Sequence, residues 1–253
     1  MKVLVTGASS GIGRDLAREF AKRNYDVVLV ARNVERLEEL KQELINEYKV
    51  TAEYISADLS KRENCIDIHS KVKDIDILVN NAGLGDFGEF SETELTKDFS
   101  IIDTNITSVH VLTKLYLKDM KEKNSGMILN VASIAGFMPG PLMATYYASK
   151  NYVVRLSEAI REELNKTNSN VKISILCPGP VNTNFDKVAN VDFSLNSLSS
   201  DYVAKYTVEK LLKNKFYIVP GKMIKIGKAL SKIVPTPLVA KVCYRMQKRK
   251  EGK

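Results

Sequence analysis

Seven short apolar runs, separated by segments of helical period, constrain this chain more than any other feature. They fall at Lys2–Thr6, Asp26–Ala31, 50–57, 74–80, 126–132, 171–177 and 216–219. In the second run Val27, Val28, Leu29 and Val30 follow one another with no polar residue between them. A strand that is apolar on both faces must be covered on both faces, which is the pattern of a parallel sheet flanked by helices. The segments between the runs supply the helices: 11–24, then 33–48 with Leu37, Leu40 and Leu44 on one side, then 93–121 with a break near Asn105, then 145–166. Right-handed crossovers between parallel strands then give a doubly wound sheet of about seven strands. There is no repeat, low-complexity stretch or linker, so a single unit is expected: a body over 1–220 and a helical extension over 221–253. The longer irregular pieces, 84–90, 135–144 and 181–200, each follow the carboxyl end of a strand, where open α/β sheets bind ligands.

The first turn identifies the kind of ligand. Thr6-Gly7-Ala8-Ser9-Ser10-Gly11-Ile12-Gly13 joins the first strand to the first helix. Glycines there permit a tight turn and a close backbone approach, and the helix start offers free N–H groups to a phosphate. The fold class is therefore α/β, of the Rossmann type. The residue closing the second strand selects the coenzyme. An acid there would accept from a ribose 2′-hydroxyl. This chain has Arg32, 19 residues after Gly13, which suits a 2′-phosphate, with Asn33 and Arg36 nearby.

Tyr146 and Lys150 stand four apart at the start of a helical stretch, on one helix face. An ammonium beside a phenol is expected to favour the phenolate and lower the tyrosine pKa, allowing proton transfer near neutral pH. Tyr147, three residues before Lys150, can face it as well.

With these motifs in register, the chain resembles the short-chain dehydrogenase/reductase family, in its NADP-preferring subgroup, over about residues 1–220. The loop resembles the family's Thr-Gly-x-x-x-Gly-x-Gly, which implies cofactor contacts at Gly7, Ser9, Ser10, Gly11, Ile12 and Gly13. Asp58-Leu59 resembles the pair that meets the adenine. Asn80-Asn81-Ala82-Gly83 matches the segment that steadies the sheet and flanks the adenosine ribose, implying contacts at Asn81, Ala82 and Gly83. Pro178-Gly179-Pro180-Val181-Asn182-Thr183 resembles the stretch whose Val181 backbone and Thr183 hydroxyl meet the nicotinamide carboxamide, with Pro178 and Gly179 alongside.

The same resemblance implies a catalytic set of Asn105, Ser133, Tyr146 and Lys150. Ser133 lies 13 residues before Tyr146, and the family spacing chooses Tyr146 over Tyr147. Tyr146 would protonate the developing alkoxide and Ser133 would orient the same oxygen. Lys150 would bind the nicotinamide ribose, and Asn105 would hold a relay water. One departure is Ser10, where some NADP-using members carry a basic residue. The implied activity is hydride transfer between NADP(H) and a carbonyl–alcohol pair. A non-catalytic NADP(H)-sensing protein on the same scaffold is the alternative.

The substrate loops are apolar. They offer Leu84, Phe87, Phe90, Phe137, Met138, Leu142, Met143, Phe185, Phe193, Leu195 and Leu198, and 135–144 holds no Lys or Arg to grip an acidic substrate. A bulky acyl, steroid-like or aromatic carbonyl is expected. Cys65, Cys177 and Cys243 match no metal or redox spacing, so no metal is expected, and they suit a reducing, cytoplasmic setting. No apolar run approaches the ~20 residues of a spanning helix, and the first strand begins too early to leave room for a signal peptide.

Charge is unevenly spread. Residues 205–253 hold 14 Lys and Arg against Glu209 and Glu251, a net of +12, whereas the first 204 carry −4. Within this tail, 222–234 places Met223, Ile226, Leu230 and Ile233 at helical spacing. Beyond Pro235-Thr236-Pro237, 238–250 sets Leu238, Val239, Val242 and Met246 against Lys241, Arg245, Lys248 and Arg249. Basic amphipathic helices suit peripheral contact with an anionic membrane, and equally a lid or a subunit interface. The tail has too few aromatics for nucleic acid to be an expected partner. A homodimer or homotetramer, joined through the two long helices, is what the resemblance implies.

Overall fold

The computed structural model describes residues 1–183, 185, 197–221 and 234–248. The strands β1 (Lys2–Thr6), β2 (Asp26–Ala31), β3 (Ala52–Ser56), β4 (Ile77–Asn80), β5 (Met127–Val131), β6 (Lys172–Leu176) and β9 (Tyr217–Ile218) form one sheet in the order β3-β2-β1-β4-β5-β6-β9. Every neighbouring pair is parallel, with Val3 opposite both Val27 and Ile77. The order reverses between β1 and β4, which places a crevice at their carboxyl ends. A separate two-stranded ladder joins β7 (Val181–Asn182) to β8 (Leu198–Ser199), inside a stretch expected to be irregular.

Strand period divides the core in two. Val3, Val5, Val27, Leu29, Ile77 and Val79 face a layer made by α1 (Gly11–Ala21), α2 (Val34–Tyr48) and α7 (Ser200–Leu211). Their neighbours Leu4, Val28, Val30 and Leu78 face α3 (Arg62–Lys71), α5 (Ser108–Glu122) and α6 (Ala144–Lys166). This is the alternation of a pleated strand with apolar residues on both sides. Asn33 begins α2 as its cap, accepting from the Arg36 N–H at 2.8 Å, so its side chain is committed to the helix rather than to a ligand. Two helices, α3 and α7, are additions to the sequence-based expectation. The long helix expected over 93–121 is three pieces: α4 (Leu95–Ile102), a π turn (Asp103–Thr107) and α5, with Asn105 at the centre of the turn.

Just below the crevice, a buried polar ladder crosses the second core layer. Asn80 Nδ2 donates to Thr113 Oγ1 and to Asn130 Oδ1, both at 2.9 Å, and Asn130 Nδ2 donates to Ser157 Oγ at 2.9 Å. It ties β4, β5, α5 and α6 together with almost no exposure to water. Stripping one member leaves desolvated donors and acceptors without partners, which costs about 1–3 kcal/mol for each group. Asn130→Ala should therefore lower the unfolding temperature by roughly 5–10 °C, measured by calorimetry. An unchanged transition would mean that the ladder contributes nothing to stability.

Candidate active site

The glycine turn is shaped by contacts that exclude side chains. Gly7 and Gly11 have φ of +66° and +53°. A Cβ on Gly13 would lie 2.3 Å from both the Asn81 amide nitrogen and the Gly7 carbonyl oxygen. Asn81 holds the turn from the neighbouring strand end: its Nδ2 donates to the carbonyls of Thr6 (3.0 Å) and Gly7 (3.2 Å). The Thr6 hydroxyl, in return, accepts from the Asn81 N–H (2.9 Å) and the Ala82 N–H (3.1 Å). Ser10 starts α1 but makes no side-chain cap bond. The first-turn N–H groups of α1 thus stay available, in a glycine-lined cradle that fits a diphosphate. On the far side, Thr183 closes on the same turn, its methyl 3.0 Å from where a Gly11 Cβ would stand. Its hydroxyl accepts from the Phe185 N–H at 3.2 Å. Pro178 is anchored through its carbonyl, which accepts from Ile134 at 2.9 Å, and Gly179 and Val181 follow it out of β6.

Past the end of β3, Asp58 Oδ1 accepts from the Ser60 N–H (3.1 Å) and hydroxyl (2.9 Å). Desolvation pushes this carboxyl up, but the two Ser60 bonds and the charges of Arg32 and Lys61 outweigh it, and its pKa ends below the ordinary value. The side chain of Leu59 is buried in the second core layer. Arg32 is exposed beside Asp58. A cavity of about 210 Å³ opens beside the glycine turn, walled by Ser9, Ser10, Arg14, Arg18 and Arg36 among others. Arg18 is occupied by Glu43 through two 2.6 Å bonds and by Asp15 at 3.0 Å. Arg14 Nε is buried without a hydrogen bond and is ion-paired with Asp15 Oδ1 at 3.5 Å. Arg14 was not among the sequence candidates. Its signal was its place one residue past the last loop glycine, where the first helical turn aims it back at the loop.

The four polar residues expected to act together do converge. Tyr146 sits in the first turn of α6 and Lys150 one turn on, its Nζ 5.8 Å from the Tyr146 ring centre. Lys150 Nζ donates to the Val131 carbonyl at the end of β5 (3.0 Å). Ser133, two residues past β5, caps a short turn by accepting from the Ala135 N–H at 3.2 Å, and its hydroxyl is near enough to Tyr146 to pull that phenol's pKa down. Asn105, fully buried, accepts from the Leu84 N–H (2.8 Å) and donates to the Leu84 carbonyl (2.9 Å) and to Ser149 Oγ (3.0 Å). Ser149 in turn donates to the Tyr146 carbonyl at 2.7 Å, so Asn105 reaches the α6 start through one hydroxyl. Gly83 closes the group, since a Cβ there would lie 3.3 Å from Lys150 Nζ and 3.4 Å from Asn105 Oδ1. Tyr147 turns elsewhere: its ring lies against Gly140 and its hydroxyl accepts from Gln247 Nε2 at 2.8 Å.

The electrostatics correct one expectation. Tyr146 is not drawn down by Lys150; desolvation pushes its phenol up to about 12, against an opposing pull from Ser133. Lys150, inside the protein, is itself pushed down by desolvation to about 8. The helical spacing correctly places both groups on one face, but it does not show that Nζ points at a backbone carbonyl of β5.

The apolar side of the site is smaller than the sequence suggests. Phe87, Met143, Tyr147 and Phe185 pack with Tyr146, the Phe185 ring centre at 5.3 Å. Phe137 joins the second core layer against Tyr217, Leu198 joins the first, and Phe90 is exposed. Phe193, Leu195, nearly all of the helix expected over 222–234, and Arg249 lie outside the described residues.

Comparison with known proteins agrees with this arrangement. Residues 1–192 match the family model for short chain dehydrogenases. The chain belongs to that family of oxidoreductases. It is 34% identical over 201 residues to the very-long-chain 3-oxoacyl-CoA reductase of Anas platyrhynchos, covering 75% of this chain and 62% of that one. It is also 34% identical over 253 residues to human 17-beta-hydroxysteroid dehydrogenase 13, covering 97% of this chain and 82% of the human protein. Among solved structures, the short-chain dehydrogenase from Sphingobium yanoikuyae in complex with NADPH superposes with a TM-score of 0.83 at 27% identity, covering 92% of this chain and 96% of that one. The chain thus spans less than two thirds of the length of some of its relatives. Among the described residues, no helix is long and apolar enough to cross a membrane.

The buried lysine has a measurable cost. Below pH 8 the ammonium is charged in both the folded and the unfolded chain, and only the folded chain bears the desolvation. A displacement from 10.5 to about 8 corresponds to a penalty on the order of 3 kcal/mol. Between those two values the folded chain loses its proton first, so stability rises with pH and the penalty disappears. Lys150→Met should then unfold several degrees higher than the natural chain at pH 7, even after losing the Val131 bond of about 1 kcal/mol. The gap should shrink at pH 10. A variant less stable than the natural chain at pH 7 would show that Lys150 is stabilised where it lies.

Proposed function

We propose that the chain is an NADP(H)-dependent oxidoreductase acting between a carbonyl and an alcohol on a bulky, apolar substrate. The observation that carries this reading is the convergence of Tyr146 on the buried Lys150, its Nζ 5.8 Å from the ring centre and close to Asn105 across Gly83, at the crevice end of the sheet and beside a phosphate cradle. When bound, the nicotinamide coenzyme would supply or accept the hydride.

The protein's own part is to hold the reacting oxygen and move its proton. With a phenol near 12, Tyr146 keeps its proton through neutral pH and is a proton donor in the reductive direction. Ser133 donates to the same oxygen and stabilises the charge that develops there. Lys150 is mostly an ammonium at neutral pH and serves the coenzyme ribose. Asn105 orders the α6 start through Ser149 and lies next to Lys150, the place from which a relay water would return the proton. Gly7, Ser9, Ser10, Gly11, Ile12 and Gly13 would cradle the diphosphate. Asp58, Leu59, Asn81, Ala82 and Gly83 would border the adenosine, and Pro178, Gly179, Val181 and Thr183 the nicotinamide.

Preference for NADP(H) rests on three cations. Arg32 is exposed at the end of β2, and Arg14 and Arg36 line the cavity beside Ser9 and Ser10. Phe87, Met143 and Phe185 around Tyr146 favour an apolar carbonyl, and two relatives are named for acyl and steroid substrates. Assembly through α5 and α6 is supported by a groove of about 610 Å³ there, lined by Leu117, Leu156 and Ile160 between lysines and glutamates.

Tyr146→Phe should lower kcat of NADPH-dependent ketone reduction by about 10²-fold or more while NADPH still binds; retained turnover would remove Tyr146 from the reaction. Arg32→Asp, and separately Arg14→Ala or Arg36→Ala, should each weaken NADPH roughly ten- to a hundredfold, the value of a charge-assisted hydrogen bond, and leave NADH unchanged. Equal losses for both coenzymes would overturn the 2′-phosphate assignment.

A further inference from the structure

The last described helix, α8 (Thr236–Lys248), has two faces with different tasks. Its inner face is seated on the site: Cys243 and Gln247 are buried, Cys243 Sγ lies 3.6 Å from Met138 Sδ, and Gln247 holds the Tyr147 hydroxyl. A second side, about a third of a turn round the helix, is apolar and has no partner among the described residues. Leu238, Val242 and Met246, one turn apart, are 53%, 48% and 60% exposed. At 100° per residue these three make one stripe, and Lys241, Arg245 and Lys248 make the stripe beside it. All three cations are exposed, and α8 contains no acidic residue.

We propose that this outer face of α8 docks on an anionic lipid bilayer, with Leu238, Val242 and Met246 entering the headgroup–acyl boundary. Lys241, Arg245 and Lys248 reach the headgroups with their charges while their stems remain against the apolar layer. Charge selects this occupant over a second copy of the chain. In a two-fold contact with the helices antiparallel the cation stripes of the two copies lie on one side and confront each other, and in either orientation α8 has no acid to pair them. A helix of about 20 Å with one apolar stripe also offers far less than the ~800 Å² per partner of a standard interface. An anionic surface meets both stripes at once. The charge of the helix agrees, since Lys241, Arg245 and Lys248 with no acid give α8 a net charge of +3. Because the inner face of the same helix touches Met138 and Tyr147, docking would set the substrate side of the site against the lipid. That consequence, unlike the docking itself, rests on the reading of Tyr146 as the reacting residue.

The test is co-sedimentation of the full chain with phosphatidylcholine vesicles, with and without phosphatidylserine, in the absence of any substrate. The expected result is binding to the phosphatidylserine vesicles at least tenfold stronger than to phosphatidylcholine alone, from ~1 kcal/mol per cation at the surface. Val242→Glu with Met246→Glu should reduce it at least tenfold, and Lys241→Ser with Arg245→Ser should do so while leaving the apolar stripe intact. Both pairs lie outside the inner face, so NADPH binding checks that each variant is folded. Absence of vesicle binding, or binding that both double variants retain, overturns the proposal. A natural chain that ignores vesicles but loses a dimer on Val242→Glu with Met246→Glu, by light scattering, overturns it in favour of a second copy. Since no step reads turnover, a failed reductase assay would leave the docking result standing, and the reverse also holds.

Discussion

The burial of one ammonium organises the centre of this protein. Lys150 is carried into the interior by α6 and donates to the Val131 carbonyl, at the point where β5 ends and its last carbonyl turns toward the crevice. Around it the chain has little freedom. Gly83 cannot accept a side chain without crowding Nζ and the Asn105 amide. The loop after β4 is then fixed by that same amide, which takes both the N–H and the carbonyl of Leu84. A cation in such a place is unfavourable for folding. Its presence is consistent with a site arranged for a bound coenzyme rather than for stability.

The π turn at Asp103–Thr107 has a physical reason in this setting. A regular helix from 95 to 122 would satisfy its own backbone but would turn Asn105 away from Leu84 at some other angle. One widened turn, of a kind frequent at functional sites, rotates the side chain into the gap between Leu84 and Ser149. The helix before the turn contributes separately. Asp98 on α4 accepts from the Thr145 hydroxyl at 2.5 Å, pinning the residue just before Tyr146. Tyr146 is thus held from its own carbonyl by Ser149 and from its neighbour by Asp98, so its ring is positioned before any substrate arrives.

How much of this was legible in the residues depends on how local the information was. The strands were readable because two-sided burial leaves unbroken apolar runs; β1 and β2 keep the expected bounds, and the other five are two or three residues shorter. The glycine turn was readable because its conformation and close approaches are demanded by the turn itself. The helix α7 carries Val203, Ala204, Thr207, Val208 and Leu211 at helical spacing, yet it sits against a tail of mixed pattern and was passed over. In α3 only Cys65 and Ile68 are buried, too few to mark a period. Arg36 was readable from its place after Arg32, but the cavity it shares with Arg14 is walled by two segments, 9–18 and 36–43, that meet only in the fold. The direction of the Tyr146 shift was illegible for the same reason. Spacing along a helix gives proximity, whereas a pKa depends on the water removed by every other element.

The neighbour of Tyr146 shows how the apolar side of the candidate site is assembled from distant parts of the chain. Tyr147 lies flat against Gly140, where a Cβ would come within 2.1 Å of the ring, so only a glycine permits this seat. Its hydroxyl is held by Gln247, a hundred residues away, and its desolvated phenol is pushed well above the ordinary range. Tyr147 therefore stays neutral and acts as a strut between the loop after β5 and α8. Met138 makes the same connection through sulfur, a soft contact that adapts to small displacements. Tyr146 and Lys150 stand on α6 and Ser133 just past β5, while the apolar side chains beside them are covered by a helix from outside the sheet. The division is not complete, because α8 holds Tyr147 through Gln247 and the Tyr147 ring lies 6.0 Å from that of Tyr146.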